Sequence, residues 1–165
     1  MKLKLMGILV ASALAGGTLA GVTVQAAEPA QAQAHSHGEA AHTLKLNDGK
    51  KWETDAPLRD GMAKIGAAVD SKLPALGKAQ EAAQFDALAG EIDTQLASIV
   101  QNCKLEPAAD EVLHVILAEM MEGNEALRAG SGESRMHGVE RVVDTLKAYA
   151  EHFDHPGFEV PHAAH

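Results

Sequence analysis

Four apolar stripes with helical spacing, joined by short links, limit this chain to an all-helical fold. The first is Leu58, Met62, Ile65, Val69 and Leu73, spaced 4, 3, 4 and 4 along one helical face. Thr54 and Asp55 supply capping oxygens before it and Pro57 suits its first turn, so a helix starts near Asp55; Pro74 and Gly77 end it. The second runs from about residue 79 to 102 with Phe85, Leu88, Ile92, Leu96 and Ile99, and Cys103 continues the stripe. The link Lys104-Leu105-Glu106-Pro107 is short enough to turn the third helix back antiparallel beside the second. That helix, 107–129, carries Val112, Leu113, Ile116, Leu117, Met120 and Leu127 and stops at Gly130-Ser131-Gly132. The fourth, 134–153, carries Met136, Val139, Val143, Leu146, Ala150 and Phe153, and is closed by His155-Pro156-Gly157. The pattern predicts an antiparallel up-down-up-down four-helix bundle over residues 44–157. Leu44-Lys45-Leu46 and Asn47-Asp48-Gly49 read as a short extended N-terminal segment and a turn, with Trp52 folding onto the bundle.

The flanks differ in composition. Lys2 and Lys4 precede an uncharged apolar run from Leu5 to Val24, and Val24-Gln25-Ala26 makes an A-x-A-like cleavage site, so residues 1–26 read as a secretory signal peptide removed near Ala26. No transmembrane span is expected afterwards, and the periplasm is the expected compartment. Residues 27–43, rich in Ala, Gln and Glu, read as a flexible arm that contains His35, His37 and His42. Residues 158–165, with Pro161, His162 and His165, read as a frayed tail.

Loss of the leader removes two of the 14 basic residues and none of the 23 acidic ones, leaving a formal charge of −11 on 139 residues. That charge disfavours nucleic acid and anionic membranes as partners and suits cations; a protein partner is not indicated. With Cys103 as the one cysteine, no intramolecular disulfide can form in an oxidising compartment. No phosphate loop or nucleophile elbow is present and Cys103 has no His-Asp relay, so the chain is not expected to be an enzyme.

The topology sends the start of helix 1, the end of helix 2, the start of helix 3 and the end of helix 4 to one mouth of the bundle. That mouth receives Met62, Cys103, His114, His152 and His155. Thioether, thiol and imidazole are the donors that favour copper(I), with zinc as an alternative. Each also has a plain structural reading. Met62 and Cys103 lie on apolar stripes as packing residues. His114 sits about 100° from Leu113, one turn after Asp110. His152 and His155 suit a solvated helix C-terminus, and His137 an exposed surface. Sequestration or transfer of copper through the five mouth residues is the expected function. The arm and tail histidines offer loose metal capture besides.

Leu58-Arg59-Asp60-Gly61-Met62, Ala82-Ala83-Gln84 and Leu146-Lys147-Ala148-Tyr149 resemble the periplasmic cytochrome b562 and cytochrome c-prime type of four-helix bundle over residues 55–155. The resemblance implies the same fold and, as the alternative function, a haem b-binding or electron-transfer protein with Met62 as one axial ligand. The second haem position holds Ala150 where the resemblance asks for histidine, and the CxxCH attachment is absent. Lys51-Trp52, Asp55, Leu58-Arg59, Gly61-Met62, Asn102-Cys103-Lys104-Leu105, Leu113-His114 and His152-Phe153-Asp154-His155-Pro156-Gly157 are similar to stretches of small exported proteobacterial proteins. A ligand-free interaction or chaperone-like bundle with an acidic surface is a further alternative.

Overall fold

The computed structural model describes residues 44–79 and 81–162. The leader, the arm with His35, His37 and His42, and His165 lie outside the described residues. Four helices follow in chain order: α1 (Ala56–Ala79), α2 (Ala82–Asn102), α3 (Pro107–Ala129) and α4 (Gly132–His152). Each packs against its neighbours in sequence and α1 closes against α4, with α3 and α4 the most extensive pair. This is the antiparallel four-helix bundle the stripes imply. Among the described residues no helix is long and apolar enough to cross a membrane.

The stripes become the core. Leu58, Met62, Ile65, Val69, Phe85, Leu88, Ile92, Ile99, Met120, Leu127, Leu146 and Tyr149 are fully buried. Burial of such side chains contributes about 1.5–3 kcal/mol each and is the main force holding the helices together. Two departures from the sequence reading concern α1 and α4. The first helix runs past Pro74 to Ala79, because Pro74 removes only the amide that would bond Asp70 near the helix end, while Leu76 continues the stripe and is fully buried. On α4 the stripe passes through Tyr149 at 0 % exposure rather than Ala150, which is half-buried.

Close helix approach is set by glycine. A Cβ on Gly138 would lie 2.8 Å from the Leu127 nitrogen and 2.9 Å from the Gly123 oxygen, so α3 and α4 touch backbone to backbone there. At the same far end Arg135, at the start of α4, gathers the end of α3 and the start of α2. Its guanidinium donates to the Gly130, Arg128 and Ala82 carbonyls and to the Asp86 carboxylate, while stacking 5.7 Å over Phe85. Free C-terminal carbonyls of α3 are satisfied by a charge of the right sign.

The segment before α1 is tied to the exit of α4. A tight turn at Asn47–Lys50, with Asp48 and Gly49 at positive φ, reverses the chain. Trp52 then pairs in parallel with Phe153, its amide donating to the His152 carbonyl at 2.8 Å and its carbonyl accepting from the Asp154 amide at 2.8 Å. Lys51 Nζ donates to the Ala150 carbonyl at 2.6 Å. The described part of the tail lies against the bundle. Phe158 packs on the core and Pro161 is buried, because the turn at Gly157 (φ 79°) brings the chain back along α1.

Candidate functional site at the bundle mouth

Asp55 organises the mouth. One carboxylate oxygen accepts from the Leu58 amide at 2.9 Å and caps α1; the other accepts from the Lys104 amide at 2.6 Å, fixing the chain just after α2. A cap of this kind is worth about 1 kcal/mol, and here it also binds two helices together. Arg59, one turn into α1, donates to the Thr54 carbonyl at 2.6 Å and to Thr54 Oγ1 at 3.0 Å. Thr54 Oγ1 in turn donates to the Asp154 carbonyl at 2.6 Å. The motif residues Lys51, Trp52, Asp55, Arg59, Lys104 and Asp154 are therefore all spent on holding the mouth closed.

Cys103 ends α2, its amide donating to the Ile99 carbonyl. The half-buried thiol is pushed up to about 12, by burial first and then by the facing Asp55 carboxylate, with Asp110 adding to it. A thiol in that setting stays protonated at neutral pH and is a poor nucleophile. Beside it stands Tyr149, whose hydroxyl is pushed well above its ordinary value by burial. Tyr149 Oη lies 2.9 Å from His155 Nδ1. His155 is held below its ordinary pKa by burial and by the positive charge of Arg59, so the ring is neutral at pH 7. Phe153 stacks on Tyr149 at 5.4 Å, and Phe158 closes edge-on against Tyr149 at 5.2 Å and at 5.0 Å from His155.

Only part of the five-donor set comes together. Cys103, at the C-terminal end of α2, and His155, just past the C-terminal end of α4, both lie near Tyr149. Met62 is fully buried in the core. Gly61 packs against Ile99, so Cys103, four residues on, stands ~6 Å nearer the mouth than the level of Met62. His114 does not join them, a correction to the expected convergence. Its side chain is 73 % exposed on the outer face of α3 and its Nδ1 lies 2.8 Å from the Asp110 carbonyl. Leu113 and Ile116 take the core side of α3 and leave residue 114 to solvent. His152 is likewise turned back on its own helix, Nδ1 lying 2.8 Å from the Ala148 carbonyl. Among the described residues no three His, Cys, Asp or Glu side chains form a group suited to a metal ion.

Sequence reasoning missed Tyr149 and Arg59 as mouth residues. The signal for Tyr149 was present in the spacing Leu146, Tyr149, Phe153, which continues the stripe by 3 and 4. For Arg59 there was none, since its role depends on where the chain after α4 returns. No protein-family model matches this chain, and neither does any curated protein or solved structure.

Proposed function

We propose that this is a periplasmic, non-enzymatic protein that binds a soft metal ion, copper(I) first, and holds or hands it on at the bundle mouth. The observation that supports it is a neutral imidazole, His155, bonded to the buried Tyr149 phenol, on which the Cys103 thiol also acts electrostatically. Sulfur and nitrogen donors of this kind suit copper(I) better than oxygen-seeking cations. With Nε2 of His155 on the metal, its Nδ1–H donates to Tyr149 Oη, the outer-sphere bond that fixes a ligating imidazole. The acidic balance of the chain favours a cation.

Binding replaces the Cys103 proton by the metal, so one proton is released per ion and affinity rises with pH. Titration of the mature protein with copper(I) against a chromophoric chelator tests the reading. Competition is expected from the native protein and is expected to weaken at least tenfold in Cys103→Ala and in His155→Ala. Equal competition by the native protein and both variants would overturn the ligand assignment, and no competition by the native protein would overturn copper binding itself.

A further inference from the structure

A pocket of about 330 Å³, at the small end of the range that takes small molecules, opens beside the cap of α1. One wall is Trp52, Glu53 and Asp55, from the segment that enters α1; the other is Lys104, Leu105 and Glu106, from the link between α2 and α3. The Asp55 carboxylate ties the walls together through the Lys104 amide at 2.6 Å. Neither Cys103 nor His155 lines this pocket, so what it binds is independent of the copper reading.

The lining carries three carboxylates and one ammonium group, an excess of two negative charges. Glu53 and Glu106 take part in no ion pair among the described residues. Asp55 accepts from two neutral amides, which leave its charge uncompensated. The carboxylates are spread around the rim and not focused on one point, since among the described residues no three His, Cys, Asp or Glu side chains form a group suited to a metal ion. A compact divalent cation needs several oxygens converging on it. Dispersed charge around an apolar centre suits a larger, weakly hydrated cation.

That centre is aromatic. Trp52 Nε1 donates to the Lys45 carbonyl at 2.6 Å and the Trp52 backbone pairs with Phe153, so the half-buried ring is fixed in place as part of the wall. An indole face attracts cations better than any other aromatic side chain. Leu105 adds apolar surface for alkyl groups. We propose that this pocket binds a small organic cation, a quaternary or alkyl ammonium group, against the Trp52 ring with Glu53, Asp55 and Glu106 around it.

Trp52 is the one tryptophan of the chain, so its fluorescence reports on the pocket. Tetramethylammonium chloride added to the full mature chain is expected to change that emission saturably. Sodium chloride at equal ionic strength, and tert-butyl alcohol as a neutral molecule of similar shape, are expected to leave it flat. The amide signals of Glu53, Lys104, Leu105 and Ala109 are expected to shift along the same curve. Glu53→Gln combined with Glu106→Gln is expected to weaken binding about tenfold at unchanged thermal stability, because both residues are exposed and Glu106 makes no side-chain cap bond to α3. Unmoved emission and amide signals, an equal response to sodium chloride or tert-butyl alcohol, or equal binding by the double variant would overturn the proposal. Tighter binding of glycine betaine, which adds a carboxylate to the same head group, would assign the pocket to zwitterions and overturn it as well. Phosphatidylcholine vesicles identify the source of the cation: sedimentation with them, competed by tetramethylammonium, places it on a lipid headgroup, and binding without sedimentation makes it a free solute.

Discussion

Tyr149 and His155, six residues apart, form one unit across the end of α4: the phenol oxygen and the ring Nδ1 are 2.9 Å apart, with Phe158 against both. The helix ends between them, and the turn at Pro156-Gly157, closed by the Phe158 amide donating to the His155 carbonyl at 3.1 Å, brings Phe158 against both rings. Burial and Arg59 disfavour the imidazolium there.

Stability should therefore fall on acidification through the histidine range. The folded state holds His155 neutral below its ordinary value of 6.5, while the unfolded chain takes up the proton at that value. The unfolded state then binds more protons, and stability is lost as pH drops from 6.5 toward the lower folded pKa. Urea unfolding between about pH 7.5 and 5.5 is expected to show this loss in the native protein and a flatter profile in His155→Gln. Equal slopes in the two would show that the ring is not the group responsible. Tyr149→Phe should cost about 1 kcal/mol, the worth of one net hydrogen bond.

Cys103 should react sluggishly with thiol reagents. Its thiol is pushed up to about 12, by burial and then by Asp55, so thiolate is scarce at pH 8. Modification by a disulfide reagent in native buffer is expected to run far below the rate of the unfolded protein. Asp55→Asn removes the facing charge and should accelerate the reaction. It should also lower stability by about 0.5–2 kcal/mol through the weakened cap. Rate and stability read separately distinguish a charge effect from simple opening: a rate that follows only the unfolded fraction would argue against the electrostatic account.

Gly138→Ala should destabilise the α3–α4 pair. The added methyl meets the Leu127 nitrogen and the Gly123 oxygen at under 3 Å, and both are backbone atoms that cannot swing aside. Overpacking of this sort costs about 1–3 kcal/mol, more than the gain in helix propensity of about 1 kcal/mol. At Gly90, where an added methyl would have nothing within 4 Å, the same change should be neutral or stabilising. Thermal denaturation of the two variants side by side measures the contrast.

Much of the bundle was legible because it rests on local rules. The spacing of Leu58, Met62, Ile65 and Val69 gave the face of α1, Asp55 gave its start, and Pro107 the start of α3. The mouth was legible as a place but not as a set of side chains. Which end of the bundle collects which residues follows from topology, whereas the side to which each side chain turns depends on helix rotation. Rotation is decided by packing between helices, and it put His114 outside and Tyr149 inside.

The sequence by itself determined four helices, their order and their antiparallel connection, because hydrophobic period, caps and short links act over a few residues. The return of the tail to α1, the pairing of Trp52 with Phe153, the passage of α1 through Pro74 and the bond between Tyr149 and His155 were decided only by tertiary structure. Those relationships join residues that are tens of positions apart or that lie beyond a helix end. Long-range packing and burial, not local propensity, set their free energy.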